Sequence, residues 1–126
     1  MKQLKFLAVT IAVALSFNGL QAQDNQQVAK TDSFKVWGNC GMCKRTIEGS
    51  LKTEGVVKAE WNRITKIITV SYDPAKIGLD DIQKKIAAVG YDNEKYKGDD
   101  KAYENLPGCC HYERKATEMK VEKSNQ

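Results

Sequence analysis

The sequence predicts one α+β domain over residues 32–97, with its strands and helices in the order βαββαβ. Alternating apolar and polar residues predict strands, and apolar residues at helical spacing predict two helices. Glycine or proline follows most of these segments, as expected where a strand or helix ends. The chain has 126 residues, which is enough for one such domain.

Four segments are predicted as strands. Residues 33–37 place Phe34 and Val36 on one face. Two further runs alternate in the same way: Val57, Ala59 and Trp61, then Ile68, Val70 and Tyr72. The short polar connection 62–65 joins these two runs into a β-hairpin. The polar segment 91–96 is predicted as the last strand.

Two segments are predicted as helices. In the first, Cys43, Ile47 and Leu51 recur every four residues, and Gly55 stands where a C-terminal cap is expected. The second carries apolar residues at helical spacing and ends at Gly90; these residues are Leu79, Ile82, Ile86 and Val89. With right-handed crossovers, this order predicts a ferredoxin-like sandwich, in which two helices cover one face of a four-stranded antiparallel sheet.

The first 22 residues have the pattern of a signal peptide. Lys2 and Lys5 precede an apolar run at 6–17, and Ala22 offers a small residue for cleavage. An uncleaved N-terminal anchor is the alternative, but the run is short for a membrane span. We therefore expect a periplasmic or secreted chain that does not span the membrane after cleavage, with a flexible leader at 23–31.

The charge balance argues against a nucleic-acid partner. The chain has 20 Lys and Arg against 16 Asp and Glu. Loss of the two signal-peptide lysines leaves a net charge of about +2, and the basic residues form no stripe. A C-terminal extension, 98–126, contains two turns and ends in a charged segment from 114 that is predicted to be disordered.

The first helix is preceded by two cysteines with two residues between them, Cys40 and Cys43. Two thiolates at this spacing can bind Cu(I), a soft ion that accepts two near-linear sulfur ligands, and Hg(II) shares this preference. Structural Zn(II) would normally require four ligands. A disulfide or a catalytic dithiol remains an alternative for this pair.

The position of these cysteines between the first strand and the first helix, together with Gly90-Tyr91 after the second helix, resembles the heavy-metal-associated domain. That family includes copper chaperones, modules of copper-transporting ATPases and a periplasmic mercury-binding protein. The resemblance implies that Cys40 and Cys43 bind the metal and that Tyr91 limits solvent access to it. Tyr91 could equally be a packed core aromatic.

The loop departs from the family pattern at two positions. The family usually has a buried methionine two positions before the first cysteine, where this chain has Gly38. Asn39 stands next to the first cysteine, where Zn(II)-selective members often have aspartate, so Asn39 mildly favours Cu(I).

A second group of candidate ligands lies in the extension, where His111 follows the adjacent cysteines Cys109 and Cys110. A disulfide between adjacent cysteines is disfavoured by strain. The three residues could form an auxiliary soft-metal site, or complete the site of the first cysteine pair. Alternatively, one cysteine could form a disulfide with the first loop.

The leading hypothesis is a monomeric, exported metal-binding protein. It would bind Cu(I), or else Hg(II) or Zn(II), and pass it by ligand exchange to a metal-transporting membrane protein or another thiol protein. No paired carboxylates, serine–histidine set or phosphate-binding loop stands out, so we do not expect an enzyme. The alternatives are a thiol–disulfide oxidoreductase with Cys40 as nucleophile, and a structural module with oxidised cysteines.

Overall fold

The computed structural model describes residues 28–115. The predicted signal peptide, most of the predicted leader and residues 116–126 lie outside this range. The elements are β1 (Lys30–Lys35), α1 (Gly41–Ser50), β2 (Val56–Trp61), β3 (Ile67–Tyr72), α2 (Leu79–Ala88) and α3 (Asp100–Glu104), followed by a 3-10 turn, Gly108–Cys110. No helix in the described range is long and apolar enough to cross a membrane.

The sheet is antiparallel, with β3 between β1 and β2. The alternation in β3 is confirmed, because Ile68, Val70 and Tyr72 are buried and the residues between them face outwards. The buried face packs against Ile47 of α1 and Ile82 of α2 in one core cluster. An α+β domain with both helices on one face is therefore observed, as predicted.

The predicted fourth strand is not formed in the described chain. Segment 91–96 contributes one isolated antiparallel bridge, between Val36 and Asn93. The Asn93 side-chain oxygen accepts hydrogen bonds from the amides of Lys95 and Tyr96, and the Asn93 amide donates to the Tyr96 carbonyl. These bonds close a tight turn, so the segment cannot extend along the edge of the sheet.

Two strand details also differ from the prediction. The register of β2 shifts between Val56 and Lys58, and this bulge leaves Val57 exposed instead of facing the core with Trp61. The first strand begins at Lys30, three residues earlier than predicted, because Lys30 and Thr31 pair with the end of β3. Two residues assigned to the flexible leader are therefore part of the sheet.

The first part of the extension is folded against the domain. Asp99 caps α3 by accepting a hydrogen bond from the Ala102 amide at 2.8 Å, where the sequence predicted only a turn. Arg114, predicted to begin a disordered tail, instead forms an ion pair with the buried Asp92. The chain is thus ordered beyond the predicted start of the tail.

The indole of Trp61 occupies the space beside Gly38. Trp61 is fully buried, and its Nε1 donates a hydrogen bond to the Val36 carbonyl at 3.0 Å. A Cβ atom on Gly38 would lie only 2.9 Å from the Trp61 ring. This contact explains why a glycine stands where the resemblance would place a buried methionine: the tryptophan side chain fills that volume.

Gly38→Ala should therefore destabilise the protein, by about 1–3 kcal/mol, because the indole and the loop must move apart. Urea unfolding measures the change. Gly49→Ala is the matched control, since Gly49 lies on the exposed side of α1 with open space at its Cβ position. This control should raise stability, by up to about 1 kcal/mol. Equal effects of the two substitutions would contradict the proposed packing role of Gly38.

Candidate metal site

Cys40 and Cys43 lie at the start of α1. Cys40 is the residue that caps the helix, and Cys43 is in its first turn, so the helical path brings their side chains together. The two Sγ atoms are 3.7 Å apart. Cys43 is fully buried, whereas Cys40 is partly exposed. The pair therefore has one sulfur that incoming groups can reach and one that they cannot.

The extension brings a third cysteine to this pair. Cys110, in the 3-10 turn, is fully buried, and its Sγ lies 3.8 Å from that of Cys40. The three sulfur atoms of Cys40, Cys43 and Cys110 all lie within 4.8 Å of one another. Within residues 28–115 they form the one group of three or more Cys, His, Asp or Glu ligands found at metal-binding spacing.

The other two residues of the predicted auxiliary group take different positions. Cys109 is exposed, and its Sγ lies 3.4 Å from the Sδ of Met42 and 3.9 Å from the Sγ of Cys110. The ring of His111 packs against Tyr103, with centroids 5.1 Å apart. The structure thus brings Cys110 into the main site and places Cys109 at its rim, with His111 packed on the extension.

The protonation of the sulfurs differs between the helix and the extension. The backbone amides of Cys43 and Met42 in the first turn favour the thiolate of Cys40, and although burial opposes them, the pKa of Cys40 falls to about 7. These amides act as oriented dipoles, since none completes a capping hydrogen bond to the sulfur. Burial raises the pKa of Cys110 to about 12, and the neighbouring Cys43 adds to this effect.

Tyr91 lies beside the buried sulfurs. Its side chain is fully buried, and its hydroxyl has no hydrogen-bond partner among the described residues. Burial, followed by the nearby Cys43 and Cys110, raises the pKa of Tyr91 far above its usual range, so the hydroxyl stays protonated. A protonated hydroxyl is a donor, and a thiolate beside it could accept its proton in a hydrogen bond.

Asn39 holds the loop around both cysteine groups. Its backbone amide donates to the Cys43 Sγ at 3.3 Å, and its side-chain amide donates to the Cys109 carbonyl at 3.5 Å. Both contacts are made by neutral groups. Asn39 therefore links the first loop to the extension without adding a carboxylate oxygen to the sulfur site.

Tyr112 and Arg114 anchor the extension to the loop that follows α2. The ring of Tyr112 stacks on that of Tyr91, with ring centroids 5.4 Å apart, and the Tyr112 hydroxyl donates to the Gly90 carbonyl and accepts from the Asp92 amide.

The second anchor is the buried Asp92 carboxylate. It accepts two hydrogen bonds from Arg114, at 2.7 and 2.9 Å, and others from the amides of Gly98 and Lys115. Cys110 lies just before these anchors, so its position is fixed from the following residues.

The sequence did not predict that Tyr112, Arg114 and Asp92 anchor the extension. Tyr112 follows Cys109-Cys110-His111 and received no predicted role, and Arg114 begins the charged segment that is predicted to be disordered. Asp92 lies in the segment 91–96, which is predicted as the last strand and not as an anchor. The sequence signal available was a tyrosine and an arginine close behind the cysteines, and these residue types could supply the apolar and charged anchors of a folded segment.

Comparisons with known proteins place the domain in a family. Residues 39–92 match the heavy-metal-associated domain. The copper chaperone CopZ of Staphylococcus aureus is 34% identical over 55 residues, which cover 43% of this chain and 81% of CopZ. A zinc-transporting ATPase of Synechocystis sp. is 44% identical over 64 residues, which cover 49% of this chain and 9% of the ATPase.

A solved structure extends the likeness to three dimensions. It is the N-terminal domain of a potential copper-translocating P-type ATPase from Bacillus subtilis in the Cu(I)-loaded state, with a TM-score of 0.51 and 28% identity. It covers 57% of this chain and 92% of that domain. The chain belongs to the heavy-metal-associated domain family, a class of metal-binding, non-enzymatic domains. The matched family segment, 39–92, includes Cys40 and Cys43 and ends before Cys110.

Asp92→Asn should lower stability at pH 7 by about 2–3 kcal/mol, because it weakens charge-assisted hydrogen bonds and leaves Arg114 without its buried partner. Burial opposes the Asp92 charge, but Arg114 and the two amides outweigh it, so the pKa of Asp92 is lowered. A lowered pKa stabilises the fold above the unfolded-state value of about 3.9, and this contribution disappears as the pH falls through the folded-state value.

Urea unfolding of the wild type and Asp92→Asn at pH 7 and pH 3 tests this pH dependence, and the gap in stability should shrink at pH 3. Asp100→Asn is the matched control, because Asp100 also pairs with Arg114 but is exposed. This control should change stability little at either pH. A gap that persists unchanged at pH 3 would show that Asp92 does not stabilise the fold through its charge.

Proposed function

We propose that this protein is an exported Cu(I)-binding protein that holds the ion through Cys40 and Cys43 and passes it on by thiolate exchange. The observation that carries the proposal is the placement of both sulfurs, 3.7 Å apart, at the start of the first helix of a heavy-metal-associated domain. The signal-peptide pattern of residues 1–22 supports export to the periplasm or beyond.

The donor chemistry supports Cu(I) over Zn(II). The cluster offers sulfur alone, and soft thiolates suit Cu(I), whereas structural Zn(II) requires four ligands. Asn39 contributes neutral contacts to the loop. Relatives in the family carry names with copper and with zinc, so the proposal of Cu(I) is supported by the donor set and not by the family. Hg(II) fits the same sulfurs and is the alternative cargo.

The partial exposure of Cys40 supports transfer by ligand exchange. A thiolate of the partner would bond to the ion as the bond to Cys40 breaks, and a second partner thiolate would then replace Cys43. The copper stays Cu(I) throughout, and each released cysteine thiolate can take up a proton from solvent. The acceptor we propose is a metal-transporting membrane protein or another thiol protein. This chain would deliver the ion to it as a monomer.

Cys40→Ser and Cys43→Ser should each weaken Cu(I) binding by at least about 100-fold, since each removes a ligand of the ion. Competition with a Cu(I) chelator under reducing conditions measures the affinity. Cys109→Ser is the matched control, because it removes an exposed sulfur outside the cluster, and it should bind like the wild type. Wild-type affinity in Cys40→Ser would overturn the proposed site.

The protein isolated from the cell envelope should lack residues 1–22 and begin at Gln23, because Ala22 offers the small residue that cleavage requires. Intact mass spectrometry of the envelope fraction measures this. A full-length mass in the membrane fraction would instead indicate an uncleaved anchor.

A further inference from the structure

We infer that Cys110 is a third ligand of the transported ion, so that the site is a three-thiolate centre built from two separate parts of the chain. The inference deepens the proposed function and rests on it. Its starting observation is that the extension, which lies beyond the matched family segment, delivers a buried sulfur to within 3.8 Å of Cys40.

The sulfur spacing fits three ligands better than two. With metal–sulfur bonds of about 2.3 Å, two sulfurs on opposite sides of an ion lie about 4.6 Å apart, while three sulfurs around it in a plane lie about 4.0 Å apart. The distances from Cys40 to Cys43 and to Cys110 are 3.7 and 3.8 Å. A planar three-sulfur site therefore requires only small adjustments, whereas a linear pair requires Cys40 and Cys43 to separate.

The surroundings of Cys110 also point to a ligand. Cys43 and Cys110 are both fully buried, and the Tyr91 hydroxyl beside them is a buried polar group without a hydrogen-bond partner. Such unpaired groups are rare in protein interiors. A cysteine must be a thiolate to bind an ion, and thiolates of Cys43 and Cys110 would give this hydroxyl a stronger acceptor than the thiols do, so the position of Tyr91 is consistent with a metal site.

The part of the extension that carries Cys110, residues 108–114, is called the arm here, and contacts within the chain hold it in place. Tyr112 is stacked on Tyr91, and Arg114 binds the buried Asp92 carboxylate. The third sulfur is therefore positioned before the ion arrives, and little conformational freedom is lost on binding. A third ligand fixed in this way should slow release of the ion to an acceptor, because one more metal–sulfur bond must break.

X-ray absorption of the Cu(I)-loaded, full mature chain tests the ligand count directly. The wild type should show three sulfur neighbours, and Cys110→Ser should show two. Cys109→Ser, the matched control one residue away, should keep three. A wild-type count of two overturns the inference, and so does a loss of one sulfur in Cys109→Ser but not in Cys110→Ser.

Chelator competition on the same proteins gives a second measure. Cys110→Ser should weaken Cu(I) binding by at least about 10-fold, because loss of a ligand should cost no less than loss of a residue that only supports one. Wild-type affinity in Cys110→Ser, with binding abolished in Cys40→Ser, would overturn the third ligand and leave the proposed function intact. Wild-type affinity in Cys40→Ser would instead overturn the proposed function.

Arg114→Gln covers the case in which Cys110→Ser does not fold. This variant keeps all four cysteines but weakens the anchor of the arm at Asp92. Transfer of Cu(I) to a dithiol acceptor should be faster from Arg114→Gln than from the wild type. An unchanged transfer rate would contradict the role of the arm, and the wild-type sulfur count decides the ligand set in either case.

Discussion

The buried carboxylate of Asp92 is the contact on which the arrangement of the site depends. It binds Arg114 through two oxygens and also accepts the amides of Gly98 and Lys115. These bonds join the loop after α2 to the start of the C-terminal extension at Gly98 and to its segment at Arg114 and Lys115. Without them, the extension would lose its buried ion pair and would keep its weaker contacts, such as the stacking of Tyr112 on Tyr91 and the bond from Asn39 to the Cys109 carbonyl. The position of Cys110 beside Cys40 would then be less firmly fixed. The anchor is ionic and buried, while the site that it positions contains only sulfur ligands.

The site combines opposite requirements for its sulfurs. Cys40 lies at a helix start, where amide dipoles stabilise a thiolate, and it is reachable from solvent. Cys110 is buried, and its pKa is raised to about 12. In the proposed three-thiolate site, an ion would therefore displace a proton from a buried thiol to gain the third sulfur. In that site, the asymmetry favours a bond from the ion to Cys40 first and a bond to Cys110 after its thiol has lost the proton.

Most of the fold could be predicted from the sequence, because its strands and helices are local patterns. The alternation that buries Ile68 and Val70, and the helical spacing of Ile82 and Ile86, are confirmed. The predicted fourth strand is not formed in the described part of the chain, because the Asn93 side chain accepts hydrogen bonds that close a turn, and residue alternation gives no sign of this turn. The exposure of the Val57 side chain was not predicted, because a bulge changes the strand register without a clear sequence signal.

For the site, the sequence alone determined the Cys40–Cys43 pair and its place at the start of a helix, because side chains three positions apart lie close together in a helix. It also left open whether Cys110 belonged to that pair. Only the tertiary structure decided this, by bringing residues 70 positions apart to a sulfur–sulfur distance of 3.8 Å. That contact depends on Tyr112, Arg114 and Asp92, whose interactions are long-range and leave no periodic pattern in the chain.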